Sequence, residues 1–498
     1  MIPIRYTRNL FLRTMCVVYL FAFISFYIQI PGLYGDNGIL PAKAVLENSK
    51  HKSFSAKVHY QPTLLWLSPY LGLDTNYALD FLALLGSFLA FTGFISQKFC
   101  AIPLFAGLWS LYFSLYQVGQ IFVNSQWDNL LLEAGFLALL VAPLIPGKRH
   151  GSKGSPRDYI SLWLVRWLLF RFLLSSGLVK LLNGCPKFWN LTALNYFFET
   201  TVLPTPLSWY AHHIPTWILR LTTVFALASE IVLPFLFFVP LRSVRITGFV
   251  IQLFLQIAVY LTGNFNFLNL LMTTMLITLL DDQFFFGKSR KSNDSAILGI
   301  FGALINMLLH GVVIYGVVIF YNIKFTGTQI EASVGFTRDQ LNNVAKTGLL
   351  YSTYIGLASL GFTVARAIAS SILDSNNKFL QKLLSFLYTV FFAIIAATIF
   401  FASTVPLSSL HAATNTTIAP SVRTVYNRLS KLHIVNKYGL FDKITGINGR
   451  PEIIIEGANN IEGPWLEYNF LYKPGNVNNS LPFVGTFRIF WRKQIVAV

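Results

Sequence analysis

Apolar stretches of about 17–25 residues are long enough to cross the hydrocarbon of a bilayer as helices. They recur about eleven times in this chain, at 10–30, 79–97, 100–120, 130–146, 159–182, 217–239, 246–262, 265–280, 296–321, 348–368 and 383–405. No water-soluble fold can bury so much apolar surface, because a single hydrophobic core stops growing at roughly 250–300 residues. Only 12% of the 498 residues are charged and mean hydropathy is +0.57, whereas about a quarter of an average soluble domain is charged. The expected class is therefore a polytopic α-helical membrane protein with about 11 transmembrane helices. The segments 246–262 and 265–280 are parted only by Gly263-Asn264. The parity of everything downstream depends on that pair.

The few charges are unbalanced: 38 Lys and Arg against 20 Asp and Glu, a net +18. In a soluble chain this excess would suggest nucleic acid; in a polytopic one it reports orientation. With a cytosolic N-terminus, one set of loops holds Arg5, Arg8, Arg13, Lys98, Lys148, Arg149, Lys153, Arg157, Arg242, Arg245, Lys288, Arg290, Lys291, Arg366, Lys378 and Lys382. The opposite loops hold half as many, among them Lys43, Lys187 and Arg338. The apolar run to Ile30 is longer than a signal-peptide core and is followed by Pro31-Gly32 rather than a small-residue cleavage site, so residues 1–30 read as an uncleaved anchor. No nucleic-acid partner is expected.

The organisation that follows is a first span in 1–30, a lumenal loop at 31–78, helices over 79–182, a second lumenal loop at 183–216, helices over 217–405 and a lumenal tail at 406–498. In the tail the period changes: Glu452–Glu456 is a short β-branched run, 457–464 is rich in turn residues and 465–472 alternates, the pattern of a hairpin in a small β-rich domain. Acceptor sequons at Asn190, Asn415 and Asn478 fall on the lumenal side, with Asn415 the favoured site; Asn293 falls in a basic cytosolic loop and is expected to stay unmodified. Cys16, Cys100 and Cys185 offer no lumenal pair and no C-x-x-C motif.

Familiar catalytic signatures are missing from the sequence: no G-x-S-x-G, H-E-x-x-H, P-loop or G-x-G-x-x-G. Charges within spans are costly and mark either function or structural pairs. Arg171 and Glu230 lie near mid-depth of neighbouring antiparallel spans and are expected to pair; Lys180, Asp80 and Glu133 lie nearer the lumenal ends. The loop 183–216 mixes aromatic and polar residues. Its Trp189, Asn195, Tyr196, Glu199, Trp209, His212 and His213 suggest a docking surface with aromatic anchors. Adjacent histidines face apart on a helix, which makes His212-His213 a poor metal pair. No metal or cofactor is expected.

Several ordered motifs are similar to those of the lipase maturation factors. They include Gly32-Leu-Tyr-Gly35, Gln126-Trp-Asp-Asn-Leu-Leu-Leu-Glu133, Leu164-Val-Arg-Trp-Leu-Leu-Phe-Arg171, Leu203-Pro-Thr-Pro206, Ala211-His-His213, Thr262-Gly-Asn-Phe-Asn266, Tyr438-Gly-Leu-Phe441 and Tyr472-Lys-Pro-Gly475. The match runs from about residue 10 to about 485 and is nearest to the type 2 branch. The resemblance implies an endoplasmic reticulum membrane protein that assists maturation and export of secreted lipases such as lipoprotein lipase. It also implies a non-enzymatic role in which lumenal segments engage the client, with a cytosolic N-terminus and a lumenal C-terminus. The sequence departs from the family after Pro482-Phe-Val484, where a longer lumenal region is expected, so the β-rich domain reads as incomplete. Two other readings stay open. One is a multi-span enzyme resembling the vitamin K-dependent carboxylase fold, with Lys180, Glu199, His212 or His213 as acid or base; the other is a transporter centred on Arg171 and Glu230.

Overall fold

The computed structural model describes residues 3–47, 53–144, 154–201, 203–287, 296–373, 379–447, 454–468 and 481. Its frame is a set of long helices: α1 (Arg5–Gln29), α2 (Thr75–Ile95), α3 (Ile102–Val118), α4 (Gln126–Val141), α5 (Pro156–Leu182), α6 (Thr216–Ile231), α7 (Arg242–Thr262), α8 (Leu268–Leu276), α9 (Ala296–Phe320), α10 (Arg338–Leu373), α11 (Phe379–Ser408) and the amphipathic α12 (Pro420–Ser430). Local sequence sets their limits. Proline stands in the first turn of α3, α5 and α12, where its missing N–H costs nothing. Asp158 accepts the N–H of Ser155 at 3.0 Å and so closes the start of α5. Pro234 cannot continue α6, which passes into a 3-10 turn at Leu233–Phe238.

Two ends of the body can be recognised from bonds between elements. At the entry end, Arg8 meets Asp158 at 2.7 Å and Arg13 donates to the Phe94 carbonyl at 2.9 Å. There too, Ile102 donates to Pro143, Arg157 to Ala142, Arg242 meets Asp281 at 2.9 Å and Asp282 donates to Pro3. At the tail end, Asn76 donates to Asp36 at 2.6 Å, Gln61 to the Gln117 carbonyl, Thr205 to Leu261 and Asn264 to Leu203. Helices α1 to α8 therefore run alternately between the two ends. Gly263-Asn264 is a true reversal: Leu261 sits at one end and Asp281 at the other.

Among the described residues, eight helical segments are long and apolar enough to cross a membrane. They include α1, α2, α5, α7, α9, α10, α11 and the stretch Thr216–Phe238. The protein is a polytopic helical membrane protein. Three of the eleven anticipated segments are shorter helices: Ile102–Val118, Gln126–Val141 and Leu268–Leu279. At 1.5 Å per residue the last is only about 18 Å long. Nearly all of its side chains are buried against α1, α5 and α7, so neighbours rather than its own length shield it from lipid.

Helix α5 is the axis of the body, with 89% of its most apolar window enclosed, while α9 encloses none of its own. Both are apolar on every side, and such a helix must lie in a protein core or in lipid. α5 holds its neighbours through aromatic side chains that carry a polar handle. Trp163 and Trp167 stack 5.8 Å apart and donate to Ser359 of α10 and Ser403 of α11 at 2.9 and 2.8 Å. α2 meets α1 along small residues, Ala83, Gly86, Ala90 and Gly93, which let the helices approach closely. A Cβ on Gly86 would overlap the buried ring of Phe23.

Two features differ from the sequence reading. α10 is 36 residues long and begins at Arg338, because a polar turn-start at Thr337 and Gln340 launches it well before the apolar run at 348. Ahead of it lies a hairpin, β1 (Lys324–Thr326) with β2 (Gln329–Glu331), turning at Gly327 with φ +62°. In the tail, β3 (Glu456–Gly457), at the edge of the first run, pairs antiparallel with β4 (Leu466–Glu467), inside the second. The flanking residues 448–453 and 469–480 lie outside the described ones.

Candidate functional site

The tail end gathers the polar chemistry. Glu133 lies in the middle of α4 and Arg171 in the middle of α5, both almost wholly buried, and they form an ion pair. A carboxylate so enclosed needs more than one partner. The tail supplies the others: Asn436 donates its backbone N–H to Glu133 at 2.9 Å, its side-chain amide lies at 3.3 Å, and the Tyr438 hydroxyl donates at 2.7 Å. Arg171 in turn donates to the Asn436 carbonyl at 3.4 Å. One residue on, Gln126 pairs with Gly439 as a strand would, donating at 3.0 Å and accepting at 2.9 Å. Asn183 donates to Asp442 at 3.0 Å. Residues 433–444 thus form a latch across the open ends of α4 and α5.

This arrangement corrects the expected Arg171–Glu230 pair. Arg171 is bound to Glu133, and Glu230 is bound to Lys180. Depth along the helices made Arg171 and Glu230 look like partners. α6 meets α5 with its far end, however, so Glu230 packs beside Gly177 and Lys180 rather than Arg171. Gly177 is what permits this, since a Cβ there would strike Glu230 and Ile231.

Beneath the latch is a cavity of about 120 Å3, walled by Phe172, Leu227, Met272 and Phe441 and edged by Lys180 and Glu230. Ligand pockets are commonly some 300–1,000 Å3. Phe441, at φ +56°, closes it against Phe265 and Phe197, with ring centres 5.0 and 5.7 Å away. Burial raises the Tyr438 hydroxyl well above its ordinary value, with the Glu133 charge adding to the effect. Burial lowers the His433 imidazole below its ordinary 6.5, and the bond to Asn436 only partly offsets this.

Outside the latch, the loop after α5 folds into short helices at Pro186–Trp189, Ala193–Thr200 and Pro206–His212. Thr205 caps the last by accepting from Ser208 at 3.1 Å and anchors it by donating to Leu261. The anticipated docking residues divide into two sets. Trp189 and Tyr196 turn inward: the Trp189 ring N–H donates to the Leu181 carbonyl at 2.9 Å, its ring packs on Phe336 and Arg338, and Lys187 sits 3.7 Å from the Tyr196 ring centre. Asn195 is half-buried beside Thr216. The outward set is Trp209, 54% exposed, with the His213 ring tilted against it at 4.2 Å and Glu199 facing His212 at 3.7 Å. Leu207, Tyr210 and Ile214 extend this exposed ridge. Sequence reasoning missed Leu207, Tyr210 and Ile214, although the run Leu207–Ile214 shows their density.

Lys180 is enclosed with Glu230, whereas Glu199, His212 and His213 do not line that cavity. The structure does not bring the four into one acid–base site. Among the described residues, no group of three His, Cys, Asp or Glu side chains is placed to hold a metal. Asn190 is exposed, Asn415 is half-buried with its carbonyl taken by Arg423, and Asn478 and Asn293 fall outside the described residues.

Comparison with known proteins gives two matches in family models. The lipase maturation factor transmembrane domain matches residues 6–287, and the lipase maturation factor C-terminal domain matches residues 434–493. Lipase maturation factor 2 of Xenopus laevis is 39% identical over 491 residues, which is 96% of this chain and 69% of that protein. The Homo sapiens lipase maturation factor 2 is 38% identical over 514 residues, covering 99% and 72%. Lipase maturation factor 1 of Mus musculus is 36% identical over 281 residues, covering 55% and 48%. No solved structure matches. The second family segment begins at 434, where the latch begins.

Proposed function

Because this chain belongs to the lipase maturation factor family, we propose that it is a membrane-embedded folding factor. Its tail end presents the ridge around Trp209 to a maturing secreted lipase, of the lipoprotein lipase kind, in the endoplasmic reticulum lumen. The observation that carries this reading is the ridge itself: Leu207, Trp209 and Tyr210 stand exposed on a short helix, with Ile214 just beyond it, and Thr205 anchors the start of that helix to the Leu261 carbonyl. Folding intermediates expose apolar surface, and clustered aromatic anchors are what such surface binds best. The lumenal placement of this end, with the N-terminus cytosolic, is supported by the excess of Lys and Arg in the loops of the opposite end. A non-catalytic role is supported by the small cavity and by the separation of Lys180 from His212 and His213.

The test is co-purification of newly made lipase with the full chain and measurement of active lipase secreted by cells lacking it. Trp209→Ala with Tyr210→Ala is expected to cut capture about tenfold or more while the protein still accumulates, the scale of losing an interface hot spot. Unchanged capture would remove the ridge from the mechanism. Loss of secretion by Lys180→Met or His213→Ala with capture intact would favour an enzyme instead.

A further inference from the structure

At the entry end, α5, the turn leading into α7 and the middle of α10 enclose a cleft of about 180 Å3. Three guanidinium groups line it, from Arg166, Arg245 and Arg366. The one carboxylate among its walls, Asp281, is already shared between Arg242 at 2.9 Å and Arg245 at 4.0 Å. Among the described residues, the other carboxylates of this end are committed as well: Asp158 to Arg8, and Asp282 to the N–H groups of Tyr6 and Thr7 at 3.1 and 2.9 Å. Arg166 is left with a neutral acceptor, the Thr278 carbonyl, and Arg366 with the face of Phe362 at 5.5 Å. The buried Nε of Arg245 has no hydrogen-bond acceptor. Three cations thus converge on one spent anion, at the edge of a low-dielectric body where uncompensated charge is costly.

A guanidinium fork matches a phosphate or carboxylate better than any neutral group. The remaining walls are mostly apolar, with Leu162, Trp163, Phe237 and Phe238 beside the hydroxyl-bearing Tyr159, Ser359 and Thr363. On the α10 side the cleft reaches the surface beside Phe362, which is 59% exposed on a helix flank of membrane-spanning character. The occupant must therefore be anionic at one end and apolar at the other. We propose that this cleft is a binding site for the net-negative headgroup of an anionic phospholipid, whose acyl chains lie along the outer flank of α10 at Phe362.

The full chain, purified in mild detergent, is titrated with phosphatidylserine, with phosphatidylcholine and with inorganic phosphate, and bound mass is read by native mass spectrometry. Phosphatidylserine is expected to bind at least about tenfold more tightly than either of the others, one charge-assisted contact's worth of discrimination. Arg366→Gln, at an exposed position with no carboxylate partner among the described residues, is expected to weaken phosphatidylserine about tenfold, and Arg366→Lys to restore most of it. Arg166→Gln should act in the same direction. Equal binding of phosphatidylcholine, or an Arg366→Gln protein that binds phosphatidylserine normally, overturns the site. Inorganic phosphate binding as tightly as the lipid would reassign it to a free anion and overturn the lipid.

Discussion

At the residue scale the buried charges carry the clearest lesson. Arg171 was recognisable as a costly charge from its place in an apolar run, but its partner was not, because Glu230 stood at the matching depth while Glu133 and Asp80 read as nearer the lumenal ends. The choice was made by helix packing, through Gly177 and the far end of α6, and by two tail residues some three hundred positions away. Removing one member of a buried pair costs about 3–5 kcal/mol, whereas replacing both by apolar residues of similar size is often neutral. Glu133→Gln and Arg171→Met are each expected to lower the denaturation midpoint sharply, with the double variant milder than either. A double variant as damaging as the two singles combined would mean the residues act independently. Glycine offers a second test: Gly86→Val drives two methyl groups toward Phe23, and is expected to cost about 1–3 kcal/mol as a lowered midpoint in detergent.

Elements were more legible than their limits. Every anticipated span is helical, because twenty apolar residues in a row have few alternatives. Their lengths were not legible: α8 survives at half a bilayer's thickness because α5 and α7 cover it, and α10 overruns its apolar stretch through a polar first part. The latch was invisible for a related reason. Residues 433–444 have no helical or strand period, and their order comes from groups on other elements, chiefly α4 and α5, with Phe197 and Phe265 against Phe441 and Tyr116 against His433. The same geometry makes latch docking depend on pH. His433 is held below 6.5 by burial, so the docked form stays neutral where the released form takes up a proton. Docking strength is therefore full above pH 6.5 and declines as pH falls below it. Hydrogen exchange, corrected for its intrinsic rate, is expected to show less protection of residues 434–440 at pH 5.5 than at pH 7.5. His433→Asn, tolerated at φ +52°, should flatten that difference.

On the scale of the whole molecule, the body reads as two chemically different ends joined by an apolar trunk. The entry end binds its helices together by Arg–carboxylate pairs, with arginine in excess; the tail end uses amides, hydroxyls and the enclosed carboxylates of Asp128, Glu133 and Glu230. Sequence alone anticipated the charge asymmetry, since Lys and Arg cluster in alternate loops. It could not anticipate that the tail returns to seal the helices it left. The proposed orientation rests on the same asymmetry, and protease protection of a tag after Val498 in sealed microsomes tests it: the tag is expected to resist digestion until detergent is added. Glycan acceptance gives a parallel readout, with exposed Asn190 the better acceptor and Asn415, half-buried, the poorer one.

The reach of Glu133 to Asn436 also fixes an order of events. The two residues are 303 positions apart, and at about 5–20 residues per second of synthesis the second emerges on the order of 15–60 seconds after the first. During that interval the carboxylate has Arg171 but neither the Asn436 amide nor the Tyr438 hydroxyl. The trunk of a nascent chain is thus chemically unfinished until residues 436–438 are made. A chain broken off before residue 436 would display that defect to the cell's membrane surveillance as an unquenched buried acid.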